Sequence, residues 1–472
     1  MRSVISASGT TELVTCGLPM TDVDVPAPDD ETTDPGRRQP LGASYYKLFT
    51  GTVVSNLGDG MATVAYPWLA SAITRNPILV ALVAVAQRLP WLLFTLPAGV
   101  ITDRVDRRRA MMSMDVLRGG LTLVVAFAVL GSQDTLPGPD QLEAVTGTET
   151  GLFLLVLAAT LLLGMAEVLR DNSNQTILPD IVEPHQLERA NGRIWSIEAV
   201  TNTFAGPPLG SILLLVAFSL PFFVDAGTFF IAAAMVFLIP GKFRASREER
   251  APQQSFRQDL GEGVRWLMGH SLLRPMAIIL GLMNGAAMIS GATIVLFAQD
   301  VLDIGPLLFT VLFFGGAIGG LFGGNLAPAI SQRVGSGTSL AIALGGMAVG
   351  PLLIGLIPWW PLVIVIFGIE ALLGMLWNVI TVSLRQTIIP RPLLGRVNSV
   401  YRFFAWGMLP IGAAFGGTLV WLLERRFDRD LALRSTWFAQ AIVYLGLFAF
   451  GRAKLTTDKI EAARAAAVAN ET

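Results

Sequence analysis

The chain is poor in the residues that usually carry metal and redox chemistry. It has one cysteine and two histidines in 472 residues. Cys16 lies in a polar N-terminal stretch, which excludes a disulfide framework and a metal site built from several cysteines. His185 and His270 fall outside the long apolar runs, which argues against histidine or zinc chemistry in the interior. We therefore expect no metal and no cofactor.

Several sequence motifs of enzymes and pumps are also missing. The sequence has no Gly-x-x-x-x-Gly-Lys-Ser/Thr loop for the phosphates of ATP, and no Gly-x-Ser-x-Gly, His-Glu-x-x-His or Cys-x-x-Cys. The net charge is −1, so no basic field points to nucleic acid. We expect neither an enzyme nor a nucleic-acid-binding protein, and no nucleotide domain within the chain.

Charged residues are scarce and apolar residues are abundant. Only 15% of the residues are charged and 53% are hydrophobic, with a mean hydropathy of +0.59, whereas soluble domains carry roughly 25% charged residues. The apolar residues form twelve segments, each near the ~20 residues that a helix needs to cross a bilayer. A backbone exposed to lipid must satisfy its own hydrogen bonds, so each segment should be helical. The segments are 43–74, 77–101, 110–130, 151–169, 194–218, 220–239, 276–297, 305–327, 340–357, 362–382, 400–423 and 435–450. We predict an all-α membrane protein with twelve transmembrane helices.

The basic residues indicate the orientation and the domains. They concentrate in alternate loops, at 104–109, 242–250, 333 and 385–396, which predicts that these loops and both termini lie in the cytoplasm of a bacterial inner membrane. One predicted outer loop departs from this rule, with Arg425, Arg426, Arg429 and Arg434 beside Glu424, Asp428 and Asp430. The predicted parts are a disordered tail at 1–42, a six-helix bundle at 43–240, a linker at 241–275, a second six-helix bundle at 276–452 and a tail at 453–472.

The two halves repeat each other. The sequence Gln-Thr-Ile-Leu-Pro at 175–179 recurs as Gln-Thr-Ile-Ile-Pro at 386–390, and Ile-Thr-Asp-Arg-Val at 101–105 is echoed by Ile-Ser-Gln-Arg-Val at 330–334. The two offsets differ mainly because the outer loop at 132–149 is long in the first half and short in the second. Repeated halves predict two bundles that face each other across a central path, the arrangement required for alternating access.

Several motifs resemble one transporter family. The stretch 99–109 resembles the Gly-x-x-x-Asp-Arg-x-Gly-Arg-Arg signature of the major facilitator superfamily, with Asp106 in place of the second glycine. Four further stretches resemble the drug, macrolide and siderophore (enterobactin-exporter-like) efflux branch: 56–60, 178–182, 189–191 and 206–210. Over residues 43–450, the resemblance implies a monomeric, proton-coupled exporter of an amphipathic organic small molecule. Its partners would be the substrate, protons and the lipid bilayer.

The resemblance also implies a conformational latch in the signature loop. Gly99, Asp103, Arg104 and Arg107 would hold the cytoplasmic ends of the bundles together in one state. Glu167 and Asp171, near the inner end of the fourth segment, are the predicted partners of the two arginines, so that protonation of an acid would loosen the latch. The alternative is that the arginines only enforce topology, which is the favoured interpretation for Arg108 and Arg109.

Ionisable residues inside apolar segments are the candidates for coupling and substrate binding, because each costs at least ~2.5 kcal/mol in a bilayer. Asp59, with Asn56 one turn earlier, is the first candidate for a carboxylate that takes up and releases a proton. An aspartate that only fixes helix packing is the alternative. Asp115 and Arg118 are spaced as a local ion pair. Asp225 belongs to the same class of buried ionisable residues.

The remaining candidates would line a largely apolar cavity with few polar contacts. They are Glu198, Asn284, Glu370, Trp377 and Asn378. The alternative is that the asparagines and the tryptophan bond to neighbouring helices or anchor at the interface.

Two glycine-rich elements have a structural interpretation. Glycines repeat every four residues along the eighth segment, at 315 and 316, 319 and 320, and 323 and 324, which predicts a face for close helix packing. Gly206-Pro207-Pro208 predicts a kink in the fifth segment. Gly206, Pro207 and Gly210 resemble the antiporter-type motif of the same family.

An importer or uniporter of the same fold, or a membrane enzyme or sensor on this scaffold, is the alternative to an exporter.

Overall fold

Helices make up most of the part of the protein that the structure describes. The computed structural model describes residues 40–102, 104–138, 141–142, 145–244, 256–390 and 393–469. In these ranges the chain forms seventeen α-helices. The β-type pairing in them is an isolated antiparallel bridge between Thr74 and Thr148. The helices are α1 (Ala43–Ile73), α2 (Pro77–Leu93), α3 (Thr95–Thr102), α4 (Arg107–Gly131), α5 (Thr150–Ile181), α6 (Leu187–Ala199), α7 (Gly206–Val216), α8 (Leu220–Phe237), α9 (Phe256–Gly269), α10 (Leu273–Gly291), α11 (Ile294–Asp300), α12 (Pro306–Val334), α13 (Ser336–Leu356), α14 (Trp360–Ile388), α15 (Leu394–Leu423), α16 (Arg429–Lys454) and α17 (Thr457–Ala469).

Each of the twelve predicted segments contains a helix. Within the described ranges, ten helices or broken helices are long and apolar enough to cross a membrane. The other two segments miss that criterion for different reasons. Helix α1 has 31 residues, but its polar side chains lower its hydropathy, and α2 has only 17 residues because the helix breaks before α3. The prediction of an all-α membrane protein is confirmed, and length and hydropathy support ten of its twelve spans.

The fifth segment is broken in a way that the sequence only partly predicts. Residues Val200–Ala205 form a π-helical segment between α6 and α7, and α7 begins at Gly206 with proline in its first turn. A proline in the first turn costs no hydrogen bond, since the amide there has no intrahelical acceptor. The irregularity is therefore carried by the π-helical turn before the prolines rather than by a proline kink within an α-helix.

The helix contacts repeat between the two halves. In the first half α4 packs on α8, α2 on α5 and α1 on α7, and the corresponding pairs of the second half are α13 on α16, α12 on α14 and α10 on α15. The contacts between the halves, α2 with α15 and α7 with α12, correspond to each other in the same way. The fold therefore has the pseudo-symmetry that the repeated sequences predict.

The glycine face of α12 forms the contact with α14. A Cβ atom added at Gly315 or Gly319 would overlap the carbonyl oxygen of Ile364 or Gly368, and one added at Gly323 would lie 2.9 Å from Leu372. A Cβ at Gly320 would meet open space. The glycines at 315, 319 and 323 thus allow the two backbones to approach, whereas a Cβ at 316 or 324 would lie an ordinary 3.8 Å from α14.

Candidate functional site

A polar cavity lies within the first half of the molecule. It has a volume of about 450 Å³ and is bounded by side chains of α1, α2, α4, α5, α6, α8 and the π-helical segment. We call it the N-terminal cavity. Its ionisable lining residues are five acids and two arginines: Asp59, Glu167, Asp171, Glu198, Asp225, Arg88 and Arg118. The structure thus brings Asp59, Asn56, Glu198, Glu167 and Asp171, which the sequence assigned to different roles, to a single cavity.

Asp59 and Arg118 form an ion pair at this cavity. Arg118 Nη2 on α4 donates to Asp59 Oδ1 on α1. The side chain of Arg118 is 3% exposed, whereas that of Asp59 is 28% exposed and faces the cavity. The guanidinium carbon of Arg118 also lies 4.0 Å from the centroid of the Phe229 ring, a cation–π contact. The arginine is therefore fixed in the protein, while the acid remains accessible from the cavity.

The ion pair continues into a chain of charges. Arg118 Nη1 lies 3.9 Å from Asp115 Oδ1 within α4, and Arg170 Nε of α5 lies 3.3 Å from the same oxygen. Arg170 also lies 3.6 Å from Asp171. The predicted local pair between Asp115 and Arg118 is present, but it is one link of a network across three helices. Charges removed from water require such partners, since an unpaired buried charge costs several kcal/mol.

Two further polar groups connect α1 to the π-helical segment. Asn202 Nδ2 donates to Asn56 Oδ1 at 2.7 Å, and Asn56 Nδ2 donates to the carbonyl oxygen of Thr52 at 2.9 Å. Close backbone packing accompanies these bonds: a Cβ at Gly206 would lie 2.6 Å from Gly60, and a Cβ at Gly210 would lie 2.7 Å from the carbonyl of Met61. Gly206 and Gly210 thus allow α7 to pack against the segment of α1 that carries Asp59.

The signature loop has a different partner from the one predicted. Arg107 Nη1 donates to Asp180 Oδ2 at 2.7 Å and to the carbonyl of Thr176 at 3.1 Å. The prediction paired it with Glu167 or Asp171, which line the cavity instead. The reason is the length of α5, which continues to Ile181, so that Asp180 is the acid at the level of the loop. Gly99 lies in α3, Arg104 in the turn after it, and Asp103 lies outside the described residues.

Asp106 has a role that the family signature does not provide. Its side chain caps α4 by accepting from the amide of Arg109 at 3.0 Å, and its second oxygen accepts from the amide of Phe243 at 3.0 Å. Arg108 donates to the carbonyl oxygens of Val236 and Phe237 at the end of α8. These two side chains therefore satisfy backbone groups at helix ends and join the loop to the chain that follows α8.

A second cavity lies within the other half. It has a volume of about 660 Å³, and we call it the C-terminal cavity. Glu370, Asn378 and Asn284 line it among mainly apolar side chains, and Asn284 donates to the carbonyl of Ala405 at 2.9 Å. Trp377 does not line it: its side chain is 0% exposed and lies in the hydrophobic core of this half. The prediction that Trp377 lines a cavity is therefore wrong, because its position on α14 turns it into the bundle.

The two cavities meet at a pair of tryptophans. Trp91 of the N-terminal cavity stacks on Trp406 of the C-terminal cavity, with ring centroids 5.7 Å apart and planes at 22°. Sequence reasoning missed this pair, and it also missed Arg88 and Arg170. A charged residue within an apolar run was the available signal for Arg88, whereas nothing local indicates which tryptophans meet across the halves.

Ionic contacts join the halves at one end of the molecule. Arg75, after α1, pairs with Asp300 at the end of α11 and donates to Gln299 Oε1 at 2.5 Å. Arg429 at the start of α16 lies 2.7 Å from both Asp300 and Glu424, and it donates to the carbonyl of Arg75 at 3.1 Å. The halves are also joined by the contacts between α2 and α15, which carry Trp91 and Trp406.

Two repeated halves that enclose cavities and interlock at one end define a multi-pass membrane transporter. The chain belongs to the Major Facilitator Superfamily, whose sequence model matches residues 48–416.

Comparisons with known proteins find efflux proteins that are similar in sequence and solved structures that share the fold. The multidrug efflux pump Tap of Mycobacterium tuberculosis is 25% identical over 395 residues, which cover 81% of this chain and 88% of that protein. The enterobactin exporter EntS of Shigella boydii serotype 4 is 26% identical over 383 residues, covering 80% and 85%. A bacterial homologue of the iron transporter ferroportin, in its inward-facing state, superposes with a TM-score of 0.63 at 15% identity, covering 88% of this chain and 100% of that one. The last likeness shows the fold alone.

Proposed function

We propose that the protein is a proton-coupled exporter of an amphipathic organic small molecule, with Asp59 as the coupling carboxylate. The observation that carries the proposal is the ion pair between Asp59 and Arg118 at the wall of the N-terminal cavity. An acid that is both paired and accessible from the cavity can exchange its partner for a proton or for a substrate. Efflux is also the activity named for Tap and for EntS.

The charge network explains how Asp59 takes up a proton without leaving an uncompensated charge. When Asp59 is protonated, Arg118 keeps Asp115 as a counter-ion, and Asp115 in turn lies next to Arg170. When Asp59 is ionised, Arg118 neutralises it. Both states are therefore paired, which avoids the penalty of an isolated charge in a low-dielectric site. Asp59 can thus alternate between the two states as the halves move.

The substrate proposed is an organic molecule that carries a positive charge. Acids outnumber arginines in the N-terminal cavity, so it attracts cations and repels anions. The C-terminal cavity adds one acid, Glu370, and two arginines, Arg385 and Arg402, so acids outnumber arginines by six to four over the two cavities. It also supplies an apolar surface that includes Phe313, Phe367 and Trp406. Of the substrate classes suggested by the sequence, a cationic drug fits these surfaces better than an acidic siderophore.

The proposed cycle is alternating access in a bacterial inner membrane with both termini in the cytoplasm. In that orientation the Arg75–Asp300–Arg429 network lies at the periplasmic side and holds it closed. The main contacts of α3, at the other side, are with α2 and α5 of its own half. The cavities would then open to the cytoplasm, ready to load substrate for export.

The test is transport into inverted membrane vesicles. We expect a fluorescent organic cation to accumulate when a proton gradient is imposed and to leave when a protonophore dissipates the gradient. Asp59→Asn should insert at the wild-type level and lose gradient-driven accumulation, since the amide cannot exchange a proton. The matched control is Asp134→Asn, which neutralises an exposed acid after α4 and should transport normally.

Gradient-driven transport by Asp59→Asn with the wild-type pH dependence would remove Asp59 from the mechanism. Entry that stops at equal concentrations on the two sides and is indifferent to the protonophore in the wild-type protein would instead favour a uniporter of the same fold. Failure of a panel of cations, together with success of an acidic siderophore, would overturn the substrate class while leaving proton coupling in place.

A further inference from the structure

A third cavity lies on the periphery of the second half, apart from the two central cavities. It is a notch of about 570 Å³ between α13 and α16, closed at one end by the start of α17. This volume is within the range of small-molecule sites, about 300–1,000 Å³. None of its lining residues lines either central cavity.

Small residues keep the notch open. Gly345 and Gly346 of α13 lie at its floor, and the Phe448 ring of α16 forms one wall. A Cβ at Gly345 would lie 3.3 Å from that ring, and one at Gly346 would overlap the side chain of Leu373. A larger residue at Gly345 would therefore narrow the space between α13 and α16, whereas a larger residue at Gly346 would clash with α14.

The body of the notch faces lipid. Ile342, which lines it, is 47% exposed, and its neighbours on the same two helices are also exposed: Val349 at 53%, Ile442 at 70% and Leu445 at 59%. Large apolar side chains that are exposed along membrane-spanning helices contact acyl chains. A molecule seated in the notch therefore has an apolar part that continues into the bilayer.

The mouth of the notch is polar and positively charged. Arg452 lines it together with Thr338, Thr456 and Thr457, at the end of the molecule opposite the Arg75–Asp300–Arg429 network. The side chain of Arg452 is exposed and makes no ion pair with the described residues. The amide of Gly337 donates to Thr457 Oγ1 at 3.2 Å, which fixes the start of α17 beside the start of α13. The amino-terminal ends of both helices lie at this mouth, together with the carboxyl-terminal end of α16 and with Asp458 in the first turn of α17, so Arg452 supplies the positive charge of the mouth.

We propose that this notch binds an anionic glycerophospholipid. The phosphate of the headgroup would lie at Arg452 and the threonine hydroxyls, and the first part of one acyl chain would lie against Ile342 and Phe448. Basic pockets between transmembrane helices at the bilayer surface recognise anionic lipid headgroups by this combination of charge and apolar contact. The site is independent of the transport cycle proposed above.

The test is lipid binding to the delipidated full-length protein in detergent, measured by native mass spectrometry. Phosphatidylglycerol and phosphatidylcholine with the same acyl chains are the two probes. We expect the protein to bind phosphatidylglycerol about fivefold more tightly, the effect of one basic residue near a lipid surface. Arg452→Gln should remove that preference. Lys454→Gln, which removes an exposed charge of α16 that does not line the notch, should retain it.

A second variant tests the apolar part. Ala341→Phe places a ring in the notch and should weaken the binding of both lipids, with circular dichroism confirming that the variant is folded. Equal binding of the two lipids by the wild-type protein would overturn the proposal, as would equal losses in Arg452→Gln and Lys454→Gln. Displacement of the lipid by equimolar soluble glycerol phosphate would show a site for free anions and would also overturn it.

Discussion

Arg118 lies between two carboxylates of different accessibility. It pairs with Asp59, which is 28% exposed toward the N-terminal cavity, and with Asp115, which is 0% exposed within the bundle. One arginine thus connects an acid that meets the cavity contents to an acid that never does. This arrangement allows the charge at Asp59 to change while the interior remains neutralised.

The first prediction concerns the energetic coupling of this pair. Arg118→Gln leaves Asp59 without its arginine and Asp115 with Arg170 alone, so we expect a loss of about 3–5 kcal/mol of stability, the usual cost of breaking a buried pair from one side. Asp59→Asn should cost less, because Arg118 retains Asp115. In the double variant the losses should fall short of additivity by about 0.5–3 kcal/mol. Unfolding of the four proteins in detergent measures this cycle, and strictly additive losses would contradict a direct pair.

The second prediction concerns the ionic network that joins the halves. Asp300 contacts both Arg75 and Arg429, so Asp300→Asn should weaken the closed end and raise the population that opens there. The measurement is labelling of a cysteine placed at Thr63, which lines the N-terminal cavity, by a membrane-impermeant maleimide in a Cys16→Ser background. With the reagent applied to the side that the proposed orientation assigns to the periplasm, labelling should be faster in Asp300→Asn than in its parent.

The control for this experiment lies three residues further on. Asp303 is exposed and has a positive φ of 51°, a conformation that asparagine also tolerates. Asp303→Asn removes the same charge from the same connection without removing a link between the halves, so its labelling rate should match the parent. Equal acceleration in both variants would mean that general charge loss, and not the ionic network, sets the accessibility.

The sequence predicts the helices of this protein well because hydropathy and helix formation coincide in a membrane. They diverge at α5, whose apolar part ends near Leu169 while the helix continues to Ile181. The polar stretch after Leu169 is still helical, and its extension places Asp180 beside Arg107. Hydropathy indicates where the apolar segment ends and not where the helix ends. For that reason Glu167 and Asp171, rather than Asp180, were the predicted partners of Arg107.

The site itself is less visible in the sequence. Asp59 stands out because a carboxylate in an apolar segment is costly, and that signal is local. Its partner Arg118 lies on α4. Because Arg118 and Asp115 are three residues apart, an ion pair within that helix already accounts for both charges and does not point to Asp59. The pair between α1 and α4 depends on how those helices pack through α8, which no short pattern encodes. The same limit applies to the contact between Trp91 and Trp406.

The third prediction separates the two faces of the glycine pattern in α12. Gly319→Ala should destabilise the protein by about 1–3 kcal/mol, the usual cost of overpacking, because its Cβ would overlap the carbonyl oxygen of Gly368 in α14. Gly320→Ala is the matched control, since its Cβ would meet open space and alanine favours the helix by up to about 1 kcal/mol. Thermal unfolding in detergent measures both. Equal destabilisation would show that the neighbouring glycine is also part of the contact.

The last prediction is a pH dependence that comes from His270, which precedes α10. Its Nδ1 accepts from the amides of Leu272 at 3.2 Å and Leu273 at 3.1 Å, so the ring must be neutral to cap the helix. Burial lowers the pKa of His270 below its usual 6.5. Its contribution to stability is therefore complete above about pH 6.5 and is lost as the pH falls through the lower pKa of the folded protein.

His270→Asn isolates this contribution, because the Asn side-chain oxygen accepts from the same amides but takes up no proton in this range. We expect wild-type protein to lose more stability than His270→Asn between pH 7.5 and 5, by at most the ~0.5–2 kcal/mol that a helix cap supplies. His185→Asn changes the chain's other histidine, which is exposed and lies beside Glu183, and should follow the wild-type curve. If the wild-type and His270→Asn curves run parallel, the His270 cap does not titrate in the folded protein.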